Sequence, residues 1–195
     1  MALTEAQYRA AVRARRALMV SDCPEAALYE MKTLSEAGWD GDYVVPNQRK
    51  SNSFDGPLIV LNNWYWWEKL DRLSESKKAK LRELGYLPDI TTNTQLDCAL
   101  DEAGIERSDI YITQACVLLP KKKIDNGDDI PDSAYAISAE RVLRLELGGR
   151  KPVALGRKAQ MVCELLGIEY EKARHPAAKG GGVAEEIADA IRQVL

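Results

Sequence analysis

Short runs of apolar residues alternate along this chain with longer segments that carry apolar residues on one helical face. Three of the apolar runs are bounded by Pro, Gly or polar residues and have the length and composition of buried strands: 58–61, 110–119 and 152–155. A fourth short strand is predicted at 168–170. Strands and helices therefore alternate after a helical lead, which predicts an α/β fold with a central, mostly parallel four-stranded sheet and helices on both faces.

Helix start and stop signals divide the rest of the chain. Thr4 and Gln7 have the spacing of a capping box at the start of the first helix. Residues 38–57 are rich in Gly, Pro, Asn and Ser and are predicted to form an irregular connector. We therefore expect an N-terminal helical extension, residues 1–55, packed on an α/β domain, residues 56–195. Helices are predicted over 4–20, 22–37, 68–84, from 92 or 93 to 102, 138–147, 157–166 and 183–194.

Composition narrows the class of protein. The 195 residues are 46% hydrophobic and 29% charged, as in a globular protein that can bury a substantial core. No apolar run approaches the length of a membrane span, and the N-terminus lacks the apolar centre of a signal peptide, so we expect a cytoplasmic protein with no membrane partner. The four cysteines are widely spaced without a CxxC pair, which argues against a metal site, and no cofactor is expected. A net charge of −3 does not suggest general nucleic-acid coating, although a local basic patch remains compatible with it.

Two polar residues, Thr113 and Gln114, interrupt the second apolar run. A hydroxyl and an amide inside a buried strand are costly unless they find hydrogen-bonding partners. One explanation is that Gln114 lies near the strand end and bonds to neighbouring backbone. The alternative is that its amide faces a ligand with donors and acceptors in fixed positions, such as the edge of a nucleobase.

Amides and aromatic residues follow the first apolar run. The sequence there is Asn62-Asn63-Trp64-Tyr65-Trp66-Trp67, and ligands bind at the carboxyl ends of strands in open α/β sheets. Adjacent side chains point in different directions, so these aromatic rings cannot all enter one core. They form either a Trp-rich lid or interface anchor, or a platform on which bases stack, with Trp64, Tyr65 and Trp66 as candidate substrate-binding residues.

The single histidine, His175, lies between the last predicted strand and a Gly-rich helix start. A lone histidine is more often structural than catalytic, but this position suits an anion, because helix N-termini and exposed backbone N–H groups attract phosphate. The lysine run that follows the second strand is either a solvated turn or a further contact to phosphate. The candidate phosphate-binding residues are Lys121, Lys122, Arg174, Lys179, Gly180 and Gly181.

Three segments carry a resemblance to a known family. LDCALDEAGIERSDIYITQ (96–114), KPVALGRKA (151–159) and RHPA (174–177) resemble, in the same order, the motifs of the uracil-DNA glycosylase superfamily. The resemblance covers about residues 58–195 and leaves the first 55 residues outside. It implies the fold of that superfamily and, as a partner, either DNA with a flipped or single-stranded base or a nucleotide.

The resemblance also implies roles for single residues. Asn63, or Asn62 if the register differs by one, matches the residue that orients or activates water. Gln114 takes the place of an Asn that interacts with the base edge, and His175 matches the histidine that stabilises negative charge on the departing base. The chain departs from the family at Gln114, at Ala177 in place of Ser, and in the aromatic residues that replace Gly and Pro in the first motif.

Three functions are compatible with this sequence. The first is a divergent DNA glycosylase that cleaves the N-glycosidic bond of a pyrimidine or modified pyrimidine. The second is a transferase that modifies a DNA base on the same fold, as in viral thymidine or hydroxymethyluracil modification. The third is a non-catalytic module that binds nucleic acid or protein through the Trp cluster. Release of free base separates the first from the other two, and a mass gain on DNA identifies the second.

Overall fold

The computed structural model describes residues 2–122 and 130–195 of the chain. Within these ranges four strands pair in parallel in the spatial order β2-β1-β3-β4. The predicted α/β fold with a parallel four-stranded sheet is thus confirmed. The second strand is shorter than its apolar run, and the fourth begins three residues later than predicted. The strands are β1 Leu58–Asn63, β2 Tyr111–Cys116, β3 Val153–Leu155 and β4 Glu171–Ala173.

Helices flank the sheet in the described ranges. A short 3-10 turn, Pro46–Arg49, lies between the second helix and the first strand. The helices are α1 Glu5–Ala17, α2 Pro24–Leu28, α3 Trp67–Arg72, α4 Glu75–Leu84, α5 Thr91–Ala103, α6 Asp132–Ser138, α7 Arg144–Glu146, α8 Arg157–Leu166 and α9 Val183–Arg192. None of the helices in residues 2–122 and 130–195 combines the length and apolar composition needed to cross a membrane.

The two faces of the sheet bury separate cores. Side chains of β1 alternate between them: Leu58 and Val60 enter the core under α1, α6 and α8, which we call the first face. Ile59 and Leu61 enter the core under α5 and α9, the second face. This alternation follows from the two-residue period of a strand, and it determines which polar side chains at the strand ends can meet.

Two predicted helices are interrupted. The helix predicted over 22–37 ends at Leu28, and Glu30 then adopts a left-handed backbone conformation with φ +50°. The helix predicted over 68–84 is divided into α3 and α4. Ser74 lies between them and its side chain accepts a hydrogen bond from the Lys77 N–H, so it starts a new helix. The periodic spacing of charged and apolar residues in the sequence does not indicate either break.

The helix predicted over 138–147 begins earlier than expected. It starts with α6 at Asp132, passes through a π-helical turn over Ala139–Leu143 and ends with α7. The N-terminal segment contains the predicted capping box of Thr4 and Gln7. Its residues Leu3 and Val12 belong to the core of the first face, where α1 packs mainly against the π-helical turn and α7.

Candidate active site

A cavity of about 870 Å³ lies at the carboxyl ends of the strands. This volume falls in the range of roughly 300–1,000 Å³ that is typical of small-molecule sites. Its lining includes Asn62 and Asn63 at the end of β1, Gln114 near the end of β2, and His175 just after β4. The structure therefore brings together the polar residues that the sequence places at three separate strand ends, as expected for parallel strands.

The two neighbouring asparagines have different surroundings. The Oδ1 atom of Asn62 accepts a hydrogen bond of 2.6 Å from the Tyr135 hydroxyl, and Tyr135 belongs to the core of the first face. Asn63 follows Leu61 by two positions and so continues the second face, where its Nδ2 donates to the Tyr65 carbonyl over 3.3 Å. Of the two, Asn63 shares its face with Gln114, which follows Ile112 in the same way.

Thr113 and Gln114 have separate partners, because adjacent strand residues point to opposite faces. The Thr113 hydroxyl donates to Glu146 on the first face over 2.7 Å and does not line the cavity, unlike the predicted substrate contact. Gln114 is 2% exposed and its Nε2 donates to Oδ1 of Asn47 over 3.3 Å. The Oε1 atom of Gln114 is buried and has no hydrogen-bonding partner among the described residues. An unpaired buried carbonyl is costly, and Gln114 is also one of the residues that line the cavity, so a hydrogen-bond donor reaching this oxygen would relieve that cost.

His175 is held in one orientation by its own loop. Its Nδ1 accepts a hydrogen bond of 3.1 Å from the Ala177 backbone N–H, so in the neutral ring the proton resides on Nε2. Burial lowers the pKa of His175 below its ordinary value of 6.5, which favours the neutral form. Gly156 makes room for the ring: its φ is +89°, and a Cβ there would lie 2.8 Å from the Cβ of His175.

The aromatic residues after β1 have different environments. Trp64 and Tyr65 pack at the cavity wall with Trp39, and the Trp64 Nε1 donates to the Gly85 carbonyl over 2.8 Å. Burial raises the pKa of Tyr65 above its ordinary value of 10.0. Trp66 is half-buried, lines the cavity and has the Lys69 Nζ 4.6 Å from its ring centroid. Trp64 and Tyr65 therefore take part in packing between rings, whereas the ring of Trp66 contacts the Lys69 ammonium at the cavity.

Positive charge surrounds the cavity. Its basic lining residues are Lys69, Arg157, Lys158 and Lys179, and no Asp or Glu of the described ranges lines it. Lys158 forms an ion pair of 2.8 Å with Asp132 and lies 4.9 Å from the ring centroid of Tyr135. The described part of the lining is therefore basic although the chain has a net charge of −3, and local charge rather than net charge determines the field at a site.

Most of the predicted phosphate-binding residues lie elsewhere. Lys121 forms an ion pair of 2.7 Å with Glu30, and Arg174 forms one of 2.5 Å with Glu186. Both cations therefore have carboxylate partners within the chain. Of the six candidates only Lys179 lines the cavity, whereas Lys121, Lys122, Arg174, Gly180 and Gly181 do not. Lys123 and most of the acidic loop after it lie outside the described residues.

Several cavity residues were not predicted. Asn47 comes from the segment interpreted as a connector, and no local pattern distinguishes it from its polar neighbours. Tyr86 lines the cavity with the Arg107 guanidinium 3.8 Å from its ring centroid. Asn93 is buried near the start of α5 and its Nδ2 donates to the Leu87 carbonyl.

Comparison with known proteins adds no relative to this description. No protein-family model matches the chain, and no curated protein matches it. Among residues 2–122 and 130–195, no group of three or more His, Cys, Asp or Glu side chains could hold a metal ion. What supports a function for this chain is therefore the geometry of the cavity together with the motifs in the sequence.

Proposed function

We propose that this protein is a DNA glycosylase that cleaves the N-glycosidic bond of a pyrimidine or modified pyrimidine base. The observation that carries the proposal is the unpaired Oε1 of Gln114, buried at the wall of a cavity that also contains Asn63 and His175. An imide or amino group of a base supplies the donor that this oxygen lacks. Among the basic residues that line the cavity, Lys179 suits a phosphate that flanks a flipped nucleotide.

The chemistry assigns one task to each side chain. When the N-glycosidic bond breaks, its electron pair moves to the base nitrogen and the base leaves as an anion, while the sugar becomes an oxocarbenium ion. The Nε2–H of His175 donates to the carbonyl oxygen on which this negative charge develops. The hydrogen bond that Nδ1 accepts from the Ala177 N–H keeps the proton of the neutral ring on Nε2, where it can be donated in a hydrogen bond.

Asn63 has the position for orienting water. Its Nδ2 donates to the Tyr65 carbonyl, so its Oδ1 is available to accept a hydrogen bond from the attacking water. We infer that water adds to the oxocarbenium ion, that the proton it loses passes to solvent, and that the departing base anion takes up a proton in turn. In this mechanism the bond breaks before the water attacks.

The test is base release from oligonucleotides that contain uracil, 5-hydroxymethyluracil or thymine, single-stranded and double-stranded. We expect wild type to leave abasic sites with at least one of these bases. Asn63→Ala and His175→Ala are each expected to slow release by about a hundredfold or more, as for other positioned catalytic groups. The matched control is Asn62→Ala, which changes the same residue type one position away on the opposite face, and we expect it to slow release by less than about tenfold.

The outcomes separate the candidate functions. Equal losses in Asn62→Ala and Asn63→Ala would contradict the assigned face of the site. No release from any substrate, with intact folding and measurable binding to DNA, would reject hydrolysis. A mass gain on DNA in the presence of a small-molecule donor would then identify a transferase.

A further inference from the structure

Asn47 and Gln114 form a pair of buried amides at the wall of the cavity. Asn47 is 4% exposed and Gln114 is 2% exposed. They are joined by the hydrogen bond of 3.3 Å from Gln114 Nε2 to Asn47 Oδ1. Both residues line the cavity, although they are 67 positions apart in the sequence. Asn47 therefore contacts the group whose unpaired oxygen marks the candidate site.

The turn that carries Asn47 is fixed on both sides. The next residue, Gln48, accepts from the Val44 N–H and donates to the Ile112 carbonyl and to Glu146, so it attaches the turn to β2 and α7. On the other side Gly85 approaches so closely that a Cβ there would lie 1.8 Å from the Pro46 carbonyl oxygen. A turn held in this way keeps the Asn47 side chain in register with Gln114.

A primary amide can present either its oxygen or its nitrogen to a ligand, since the two ends have similar size. In the observed pair, the nitrogen of Gln114 donates to Asn47, and the buried oxygen is left without a hydrogen-bonding partner among the described residues. Gln114 then acts only as an acceptor towards the cavity. Without an acceptor at position 47, the Gln114 amide can turn either its oxygen or its nitrogen towards the cavity. The site then no longer selects a ligand with a hydrogen-bond donor at this position.

We propose that Asn47 is a specificity-determining residue, which holds Gln114 as a hydrogen-bond acceptor and so selects a base with an N–H donor at the ring position facing it. This inference rests on the proposed function, because it takes the ligand to be a pyrimidine base. Uracil and thymine carry an N–H at ring position 3, whereas cytosine carries a lone pair there. An acceptor fixed at that position attracts the N–H and repels the lone pair.

The test measures binding without catalysis. The probes are single-stranded oligonucleotides with one central 2′-fluoro-deoxyuridine or one 2′-fluoro-deoxycytidine, because the fluorine slows cleavage of the glycosidic bond. Fluorescence anisotropy gives the Kd of each probe for wild type, Asn47→Asp and Asn47→Leu. The control is Asn52→Leu, which replaces an exposed asparagine outside the cavity lining. Thermal unfolding verifies that each variant is folded.

We expect wild type and Asn52→Leu to bind the uracil probe about tenfold or more tightly than the cytosine probe. Asn47→Asp retains an acceptor for Gln114 Nε2 and should keep most of this preference. Asn47→Leu has a similar volume but no acceptor, and its ratio should approach one.

The inference would be overturned if wild type and Asn47→Leu had the same ratio of Kd values for the two probes. It would also be overturned if Asn47→Asp lost as much of the preference for the uracil probe as Asn47→Leu does. The proposed glycosylase function is tested separately, by measuring base release from cleavable oligonucleotides. A preference that depends on Asn47 in a protein that releases no base would leave this inference intact and reject the hydrolysis.

Discussion

The hydrogen bond from the Ala177 N–H to Nδ1 of His175 determines which tautomer the neutral imidazole ring adopts. It places the proton on Nε2, and protonation of Nδ1 would replace this acceptor with a second donor facing the same N–H. Burial lowers the pKa of His175 for an independent reason, the poorer solvation of the charged ring. Both effects favour a neutral donor near pH 7.

We predict that His175 is an Nε2–H tautomer at pH 7 and that its titration midpoint lies below the ordinary value of 6.5. The lowered pKa means that the folded state binds this proton less readily than the unfolded state. The histidine contribution to stability is therefore complete above pH 6.5 and decreases as pH falls through the folded-state pKa. Long-range ¹H–¹⁵N spectra measure the tautomer and the midpoint without assignment, because the chain has only one histidine.

Two results would contradict this description of His175. A proton on Nδ1 at pH 7 would remove the proposed donor, and a midpoint above 6.5 would mean that nearby groups stabilise the cation more than burial opposes it. The Ala177→Pro variant, which removes the backbone N–H, provides a comparison. If the hydrogen bond fixes the tautomer, this variant should show a mixture of the two neutral forms.

The sequence indicated part of this site at the level of residues. A glutamine inside an apolar strand is unusual enough to suggest a ligand, and the strand period separates Thr113 from Gln114 once the faces are known. The partner of Gln114 could not be predicted, because Asn47 lies in an irregular segment and its burial depends on a contact between distant parts of the chain. The choice between Asn62 and Asn63 likewise needed the position of Tyr135.

At the scale of elements, the end of α4 supports the turn that carries Asn47. Gly85 adopts φ +81° at the C-terminus of α4, and Gly104 adopts φ +74° in the same role at the end of α5. Only the structure distinguishes them, because a Cβ at Gly85 would meet the Pro46 backbone at 1.8 Å whereas a Cβ at Gly104 would meet nothing within 4 Å.

These two glycines make a matched pair for a stability measurement. Gly104→Ala should lower the free energy of unfolding by about 1–2 kcal/mol, the cost of a Cβ in the left-handed region. Gly85→Ala adds a backbone clash and should lower it by roughly 3–5 kcal/mol, or shift the turn and with it Asn47. Denaturant unfolding measures both changes. A similar decrease in the free energy of unfolding in the two variants would mean that the Pro46–Arg49 turn moves aside easily and does not fix Asn47.

The four strands and their parallel pairing could be predicted from the alternation of apolar runs with helical segments. The boundaries of the helices could not be predicted from periodicity alone. Pattern alone could not locate the break after Leu28, where Glu30 adopts a left-handed conformation. The sequence predicts this helix only from residue 138, whereas α6 begins at Asp132. Local signals of this kind are weaker than the period of a buried face.

At the scale of the whole molecule, one buried carboxyl group connects the N-terminal segment to the sheet. Glu146 is fully buried and accepts hydrogen bonds from Tyr111 and Thr113 of β2 and from Gln48 of the 3-10 turn. Arg150 also lies nearby, with its guanidinium donating to the Glu146 backbone carbonyl. The segment predicted as an extension thus shares a polar network with the α/β domain, and we expect both to unfold together.

Burial raises the pKa of Glu146 from 4.5 to about 7, against the smaller opposing effects of its three donors and Arg150. Between these two values the folded state keeps a proton that the unfolded state releases, so this group lowers the stability as pH rises from 4.5 to 7. The expected loss is about 3 kcal/mol. In Glu146→Gln, a neutral residue of the same shape, this part of the pH dependence should disappear.

Denaturant unfolding of wild type and Glu146→Gln at pH 5 and pH 8 tests the network. The difference in unfolding free energy between variant and wild type should shift by about 3 kcal/mol in favour of the glutamine on going from pH 5 to pH 8. Glu83→Gln, at an exposed position of α4, controls for the loss of one negative charge and should show no such shift. A constant difference between Glu146→Gln and wild type would mean that the Glu146 carboxylate is solvated or fully compensated by its partners. A single transition in wild type, followed by both fluorescence and circular dichroism, would show that the residues around the Asn47 turn unfold together with the sheet.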